Sequence, residues 1–254
     1  MSLLAIDALN IARRIYEAIP LTDVDRASKT VKSCVASYRR AIEEHRPTHA
    51  VVVFDHGGRT WRHDLYAKYK SSRKPTPVDF QNAVSEIKAE LSKSGIQCIC
   101  VPEVEADDAI AALVEKWCQS TKDNAIILST DKDFLQLLSS QVHVYDHFKS
   151  KWLDEVFVIE KFGVTVSQFG DLLALMGDAS DDVPGVEKVG QKTAARLLKI
   201  NGNLERVLSN ADKVDGQVGV NLRAGIDSAR LSKKLVSFKT DIQLGITWKL
   251  IKVK

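Results

Sequence analysis

A strand, a helix and a second strand are predicted in residues 96–133, which read IQCICVPEVEADDAIAALVEKWCQSTKDNAIILSTDKD. The apolar runs 96–101 and 125–129 are short, and they do not alternate between polar and apolar side chains. That pattern is typical of strands that are covered on both faces. Between them, residues 106–120 repeat apolar side chains at helical spacing. This order predicts a parallel sheet flanked by helices, which is an α/β fold.

The same alternation continues on both sides of this stretch. Further strands are predicted at 2–6, 50–54 and 142–145, and further helices at 26–44 and 78–94. Most strands are separated by a helix, as parallel neighbours require. The sequence therefore predicts an α/β core over residues 1–153, with a mainly parallel central sheet.

Strands nearly disappear after residue 152. Helical spacing instead predicts a subdomain over residues 154–254 that closes on a terminal strand. Its helices are expected at 155–161, 166–176, 191–199, 204–209 and 221–231.

The composition is that of an ordinary globular protein, with 254 residues, 44% apolar and 27% charged. The apolar runs are too short to cross a bilayer, and no positively charged leader precedes Asp7. We therefore expect a cytoplasmic protein that does not enter a membrane. The four cysteines show neither zinc-site spacing nor a C-x-x-C pair, so reduced thiols are expected.

The charge is unevenly distributed along the chain. Residues 183–254 contain 14 Lys or Arg against 6 Asp or Glu, whereas residues 1–182 contain 22 against 27. This asymmetry suggests that the C-terminal part binds a polyanion and the N-terminal part binds a cation.

Acidic residues follow the carboxyl ends of four predicted strands. Parallel sheets bind ligands outside those ends, so these side chains are expected to converge. Other acids stand close to them in sequence, and one further pair has i, i+3 spacing. The nine residues are Asp7, Asp55, Glu105, Asp107, Asp108, Asp131, Asp133, Asp178 and Asp181.

A single acid at such a place is most simply a helix cap. Nine acids in one crevice would instead repel each other strongly unless multivalent cations neutralised them. Ligand sets made of oxygen alone suit Mg²⁺ or Mn²⁺, which commonly take phosphate as a further ligand. Two ions roughly 4 Å apart could activate a water for attack on a phosphodiester.

Residues 56–77, called the basic arch below, interleave cationic and aromatic side chains. Phosphates could pair with the cations and bases could stack on the rings, which suits single-stranded nucleic acid. The alternative is a solvated loop whose rings pack beneath it. The residues concerned are Arg59, Arg62, Lys68, Lys70, Arg73 and Lys74 with Trp61, Tyr66 and Tyr69.

Residues 183–194, VPGVEKVGQKTA, form a glycine-containing turn that opens a predicted helix. Such a turn can present backbone N–H groups to a phosphate, with Lys192 nearby. The alternative is a plain connection between two helices. We call this segment the hairpin.

Six motifs together resemble the 5′-nuclease, or flap endonuclease, family, and most closely its stand-alone bacterial exonuclease IX-type branch. The matches run in order from residue 3 to about residue 200. They are Asp7-Ala-Leu-Asn10, Phe54-Asp55, Arg62 with Tyr69-Lys70-x-x-Arg73, Glu105-Ala-Asp107-Asp108, Ser129-Thr-Asp131-Lys-Asp133, and Gly177-Asp178-x-x-Asp181 followed by the hairpin.

The resemblance implies a PIN-like 5′-nuclease fold and a Mg²⁺-dependent enzyme that cuts branched DNA near a 5′ flap, in DNA replication or repair. The first metal site would take the acids from Asp7 to Asp133, with Asp107 as the foremost direct ligand. Asp178 and Asp181 would serve a second ion, and Mn²⁺ could substitute for Mg²⁺. The family also implies a monomer.

The resemblance assigns roles to other residues as well. Lys70 and Arg73 would engage the flap or the scissile phosphate, and Arg62 and Tyr69 would contact DNA. The hairpin residues expected to hold the duplex are Lys188, Val189, Gly190, Gln191, Lys192 and Thr193. The carbonyls expected to bind K⁺ are those of Leu175, Met176, Pro184, Val186 and Val189.

Three residues depart from the family pattern. Ala8 stands where Gly is frequent, Asp182 where Asn is usual, and Lys188 where the turn commonly has Gly. A side chain at a positive-φ position costs energy, although the Lys188 charge could contact DNA. Two alternatives stay open: a branched-DNA binding protein with little catalysis, and an unrelated Mg²⁺ phosphohydrolase or RNase.

Overall fold

The computed structural model describes residues 1–253 and contains one six-stranded sheet in the order β3-β2-β1-β4-β5-β6. The first five strands are parallel, and β6 pairs with β5 in antiparallel fashion. This arrangement confirms the predicted α/β class with a mainly parallel sheet. The strands are β1 (Ser2–Asp7), β2 (His49–Val53), β3 (Cys98–Ile99), β4 (Asn124–Leu128), β5 (Val142–Asp146) and β6 (Lys151–Leu153).

Five α-helices belong to the core, and two of them were not predicted. Helix α1 begins directly after β1, where the Asp7 side chain accepts a hydrogen bond from the Asn10 N–H and caps the helix. Helix α3 is a single short turn within the basic arch. The helices are α1 (Ala8–Ala18), α2 (Arg26–His45), α3 (Trp61–Leu65), α4 (Val78–Lys93) and α5 (Ala106–Thr121), followed by a 3₁₀ helix (Lys132–Leu137).

The C-terminal part is helical, as the sequence predicts. Its helices are α6 (Glu155–Phe162), α7 (Val166–Met176), α8 (Gln191–Asn201), α9 (Leu204–Ser209), α10 (Gly216–Ala224) and α11 (Ile226–Val236), with a short 3₁₀ helix (Ala211–Lys213).

Two expectations for this part are wrong. The helix predicted over 221–231 is broken at Gly225, where a Cβ atom would lie 2.9 Å from the Asn221 carbonyl oxygen and 3.1 Å from Val186. The terminal strand is reduced to a single bridge between Lys252 and His49. Only one residue pair forms there, because β3 already occupies that edge of β2 further along.

The two faces of the sheet carry separate cores. Side chains alternate along β1, so Leu4 and Ile6 pack with α1, α2 and α4, whereas Leu3 and Ala5 pack with α5. The core around α5 continues into the C-terminal helices and includes Phe169 of α7. The helical part is therefore joined to the sheet through a shared core. None of the helices within residues 1–253 combines the length and the apolar character needed to cross a membrane.

Candidate active site

The carboxyl ends of the strands open into a cleft of about 730 Å³. A narrower cavity adjoins it, and Asp107 and Asp181 line both. The structure therefore brings eight of the nine predicted acids together at one edge of the sheet. Those lining the cleft are Asp7, Asp55, Glu105, Asp107, Asp131 and Asp181, and the narrower cavity adds Asp133 and Asp178.

Backbone and side-chain donors of neighbouring elements orient these carboxylates. Asp7 accepts hydrogen bonds from the Asn10 N–H at 3.3 Å and from the Ser129 hydroxyl at 2.8 Å. Asp55 accepts from the Ala106 N–H at 2.9 Å, which joins the end of β2 to the start of α5. Because these donors belong to α1 and α5 or directly follow β4, the fold itself sets the directions of the two acids.

The acids around the first predicted metal site are energetically costly in their ionised form. Burial, and then the nearby Asp55, raises the pKa of Asp7 to about 7. Burial, and then Asp131, raises the pKa of Asp133 to about 8. Burial is also the main cause of the raised pKa of Asp55, Asp107 and Asp131. One carboxylate oxygen of Asp133 is buried without any hydrogen-bond partner within residues 1–253.

This donor set fits a hard divalent cation. All the converging ligands are carboxylates, which Mg²⁺ prefers, and a cation would relieve both the mutual repulsion and the unpartnered Asp133 oxygen. No three His, Cys, Asp or Glu side chains in the described part of the chain form a ready-made chelating group. Mg²⁺ tolerates that arrangement because it keeps several waters as ligands.

Basic side chains already pair with the other acids. Lys70 Nζ lies 2.6 Å from Glu105, Lys132 Nζ lies 2.6 Å from Asp178, and Arg73 pairs with Asp181. Burial alone would raise the pKa of Glu105, but Lys70 and Arg62 outweigh it and lower that pKa. Burial is also the largest single influence on the pKa of Asp178, but the hydrogen bond and charge of Lys132 and the hydrogen bonds of Ser180 together outweigh it and lower that pKa. The two acids predicted for the second ion are thus neutralised by the protein itself.

The predicted metal-site role of Asp108 is wrong. Its side chain is fully buried, and its two oxygens accept hydrogen bonds from Arg62 at 2.7 and 2.8 Å. Further bonds come from the Trp61 indole at 2.8 Å and the Lys239 N–H at 2.9 Å. Asp108 lines neither of the two cavities that the other acids share. We call this pair the Arg62–Asp108 anchor.

The predicted DNA contacts of Arg62 and Tyr69 are also wrong. Arg62 is 3% exposed, and its guanidinium also donates to the carbonyls of Leu235 and Ser237. Tyr69 is 4% exposed, and its hydroxyl donates to Glu105 at 3.1 Å. These two side chains therefore hold the basic arch on the core, while Arg59, Lys68 and Lys74 remain exposed.

The basic arch is docked onto the loop that carries the second pair of acids. Lys70 adopts φ +53° and donates its backbone N–H to the Asp181 carbonyl at 3.0 Å. Asp182, at φ +56°, accepts from the Ser72 N–H at 2.8 Å. Such backbone conformations are strained for residues with side chains and cluster at functional sites. Lys70 and Arg73 both line the cleft, where they were predicted to act.

The hairpin is built on a close backbone contact. Gly177 and Gly185 have φ +70° and +61°, and a Cβ on Gly185 would lie 2.8 Å from the Gly177 Cα. The turn continues through Lys188, which has φ +57° and an exposed side chain. The side-chain amide of Asn221 donates a hydrogen bond to the Glu187 carbonyl at 2.7 Å and so supports the turn. Helix α8 then begins behind the turn.

The predicted hairpin contacts differ in accessibility. Lys188, Gly190 and Lys192 are exposed, and Gln191 and Thr193 are half-buried. Val189 is 3% exposed, so only its backbone could touch a ligand. Among the carbonyls predicted for K⁺, Leu175 accepts from the Val186 N–H at 2.8 Å, and Val186 accepts from the Val189 N–H at 3.0 Å. A carbonyl oxygen has two lone pairs, so these bonds leave capacity for a cation.

Several supporting residues escaped the sequence analysis. Asn10 accepts two hydrogen bonds from Thr130, and the Thr60 hydroxyl donates to Glu105 at 2.9 Å. Lys132 pairs with Asp178 across 46 positions of sequence. Asn10 and Thr130 belong to quoted motifs and could have been singled out there. Lys132 also lies in a quoted motif and Thr60 lies in the basic arch, but their partners are distant in sequence, so neither pairing could be predicted.

Comparison with known proteins assigns the family. The domain family described as 5′-3′ exonuclease, N-terminal resolvase-like domain matches residues 2–163, and the one described as 5′-3′ exonuclease, C-terminal SAM fold matches 164–254. Flap endonuclease Xni of Shewanella pealeana is 38% identical over 253 residues, which is 99% of this chain and 97% of the relative. Flap endonuclease Xni of Shewanella loihica is 40% identical over 242 residues, covering 95% and 93%.

Solved structures share the fold. T5 5′-exonuclease with bound zinc has a TM-score of 0.81 at 23% identity, covering 93% of this chain and 89% of that chain. The catalytic core of Rad2 in complex with DNA substrate has a TM-score of 0.59 at 16% identity, covering 94% and 80%. These matches confirm the predicted resemblance and fold, and the chain belongs to the 5′-3′ exonuclease family.

Proposed function

We propose that this protein is a metal-dependent 5′-flap endonuclease that hydrolyses DNA phosphodiesters near the junction of single strand and duplex. The observation that carries the proposal is the convergence of eight carboxylates at one edge of the sheet, six in the cleft and two more in the adjoining cavity, in a chain that also has a basic arch and a basic hairpin. The relatives named flap endonuclease support the same activity. A protein that only bound DNA would be opposed by those carboxylates, so the binding-module alternative is not favoured.

Two divalent ions, Mg²⁺ with Mn²⁺ as a substitute, suit this cleft. When bound, such ions supply Lewis acidity that activates an attacking water and stabilises the leaving oxygen. Asp107 is our foremost direct ligand because it lines both cavities and, unlike Asp181, is not paired with Lys70 or Arg73. Asp7, Asp55, Glu105, Asp131 and Asp133 would complete the first site, and Asp178 and Asp181 the second.

Lys70 and Arg73 would hold the scissile phosphate. In this structure Lys70 forms an ion pair with Glu105, and Arg73 forms one with Asp181. With a divalent cation bound, Glu105 and Asp181 would serve as its ligands, and Lys70 and Arg73 would be free to pair with the phosphate. The two ion pairs within the protein thus hold the Lys70 and Arg73 side chains in the cleft when no substrate is bound.

The hairpin would hold the duplex through its backbone. Lys188, Gly190 and Lys192 are exposed beside the N-terminus of α8, where free N–H groups favour a phosphate. The carbonyls of Met176 and Pro184, with those of Leu175, Val186 and Val189, would bind K⁺ and so add positive charge at the turn. We further propose that the protein acts as a monomer, in the cytoplasm, in DNA replication or repair.

Cleavage of a 5′-flap oligonucleotide, labelled at each end in turn, tests the proposal. With Mg²⁺ and K⁺ we expect a fragment of about the flap length, and neither a chelator-treated reaction nor the matching single strand should yield it. Equal cutting of RNA or of a small phosphoester would favour an unrelated phosphohydrolase. Salt-sensitive binding without any product under Mg²⁺ or Mn²⁺ would favour the binding module.

A further inference from the structure

A chain of hydrogen bonds joins the ends of β1 and β4, the two neighbouring strands at the centre of the sheet. The Ser129 hydroxyl donates to Asp7 Oδ2 at 2.8 Å and accepts from the Asp131 N–H at 3.0 Å. One hydroxyl therefore contacts an acid of β1 and an acid of the loop after β4. Because Ser129 is 1% exposed, bulk water does not compete for these bonds.

A second set of hydrogen bonds ties the same two segments together. The Asn10 side-chain oxygen accepts from both the N–H and the hydroxyl of Thr130, at 2.9 and 2.8 Å. The Asn10 N–H in turn donates to Asp7 Oδ1 at 3.3 Å. Each oxygen of Asp7 is thus held by a donor, one in α1 and one directly after β4. We call Asn10, Ser129 and Thr130 the strand-end clamp.

The strand-end clamp sets the spacing of two carboxylates that different strands carry. Asp7 ends β1, whereas Asp131 follows β4 and accepts the Asp133 N–H at 2.9 Å. The ladder between the two strands runs as far as the pair Ile6 and Leu128. The clamp continues the connection beyond that last pair. The protein itself therefore holds Asp7 and Asp131 at a fixed separation.

We propose that the strand-end clamp makes the acid cleft selective for Mg²⁺ over larger divalent cations such as Ca²⁺. The inference rests on the proposed function and deepens it, because it concerns the ion preference of the same site. Mg²⁺ demands near-ideal octahedral geometry with oxygens about 2.1 Å away, whereas Ca²⁺ accepts irregular geometry at about 2.4 Å. Selectivity between the two ions therefore depends on how rigidly the ligands are spaced.

The clamp residues act through the acids, so they are positioning residues. Ser129 lines neither the acid cleft nor the narrower cavity beside it, and its hydroxyl hydrogen is committed to Asp7. The Asn10 oxygen already accepts two hydrogen bonds from Thr130. In metal sites generally, replacing a residue that holds a ligand in this way weakens metal binding by about 10- to 100-fold.

Removal of one hydroxyl at a time tests this inference. Ser129→Ala removes the bridge between the two acids. Thr130→Val removes one of the two hydrogen bonds to Asn10 with little change of shape, and Thr130→Ser keeps that bond. The control is Ser37→Ala, which removes a similarly buried hydroxyl that bonds His147 and lines a separate cavity.

Displacement of bound Mn²⁺, followed by electron paramagnetic resonance, gives the dissociation constants of Mg²⁺ and Ca²⁺ without DNA and without catalysis. We expect Ser129→Ala to raise the Mg²⁺ constant about tenfold and the Ca²⁺ constant less than about threefold. Thr130→Val should raise the Mg²⁺ constant about threefold, and Thr130→Ser should stay within about twofold of wild type. Ser37→Ala should leave both constants within about twofold.

Three kinds of result would overturn the inference. Equal weakening of Mg²⁺ and Ca²⁺ binding in Ser129→Ala would show that the hydroxyl adds affinity without selectivity. Unchanged binding of both ions, or a loss that Ser37→Ala reproduces, would show that the clamp only supports the fold. Wild type that binds neither ion and cuts no flap would defeat the proposed function itself, and this result is distinguishable because it appears without any variant. If Ser129→Ala does not fold, the comparison of Thr130→Val with Thr130→Ser answers the same question.

Discussion

Asp107 and Asp108 are neighbours in the first turn of α5, yet they lie in opposite environments. Asp107 faces the acid cleft, where burial and then Asp131 and Asp7 raise its pKa. Asp108 is fully buried in the Arg62–Asp108 anchor, where its two carboxylate oxygens accept four hydrogen bonds from Arg62, Trp61 and Lys239. Consecutive helical residues point about 100° apart, so one motif supplies both places. A buried charge with complete partners is a structural group whose cost appears when one partner is removed, whereas crowded like charges are typical of a functional site.

The largest expected effect is a difference in the free energy of unfolding between a variant at Asp108 and the same variant at Asp107. Asp108→Asn leaves the buried Arg62 charge with only Glu105, 3.7 Å away, in place of its hydrogen-bonded carboxylate, and should lower the free energy of unfolding by about 3 kcal/mol. Asp107→Asn removes repulsion and should leave that free energy unchanged or raise it. Urea denaturation of both variants in chelator measures the difference. Similar losses in the two variants would mean that Asp107 is also a structural acid.

Replacing the whole anchor should restore most of the lost stability. The double variant Arg62→Met with Asp108→Leu leaves no unpaired charge, and such apolar replacements of buried ion pairs are often neutral or stabilising. We expect its unfolding free energy to lie within about 1–2 kcal/mol of wild type. The control is Asp108→Leu alone. If the double variant were no better than this control, the role of the anchor would go beyond satisfying its own charges.

The pH dependence of stability should reveal the crowded acids. Asp133 has an ordinary pKa of 3.8 and a folded pKa of about 8, so between these values only the folded state keeps its proton. The contribution of Asp133 to stability is therefore fully present below pH 3.8 and is lost as pH rises through 8. From pH 7 to 8.5 the Asp133 contribution should fall by roughly 1 kcal/mol.

Asp133→Asn supplies the matched control for that measurement. Metal-free wild type should lose more stability between pH 7 and 8.5 than this variant does, and subtraction removes the contributions of His and other groups. Parallel stability curves would show that Asp133 is already ionised in the folded protein at pH 7. Mg²⁺ should protect wild type more at pH 8.5 than at pH 7.

The smallest expected effect concerns the acids that already have cationic partners. Lys132→Gln removes the positive charge that pairs with Asp178. A divalent ion then no longer competes with Lys132 for that carboxylate. Because the Lys132 side chain is 35% exposed, the pair is worth no more than about 1 kcal/mol, and binding of Mn²⁺ should tighten at most about fivefold. Calorimetric titration without DNA measures this gain. Weaker binding in the variant would show that Lys132 helps to build the site.

The sequence allowed the strand ends and the convergence of their acids to be predicted, since parallel strands place their carboxyl ends together. It did not distinguish the role of Asp108 from that of Asp107, because the partner that satisfies Asp108 is Arg62, 46 positions away in sequence. The sequence shows the positive charge of Arg62 and the ring of Tyr69, which favour DNA contacts, but it does not show that both side chains are buried. Gly225 divided a helix that helical spacing alone had joined.

Single-turnover cleavage of a 5′-flap duplex by wild type and Asp107→Asn, at saturating protein over a range of Mg²⁺ concentrations, tests the central claim most directly. We predict a flap-sized product from wild type and a rate at least about a thousandfold lower from the variant, which is about 4 kcal/mol of barrier. Binding of the flap in Ca²⁺ should differ by less than about threefold. Cleavage by the variant within tenfold of wild type would contradict the assignment of the cleft acids as the metal site.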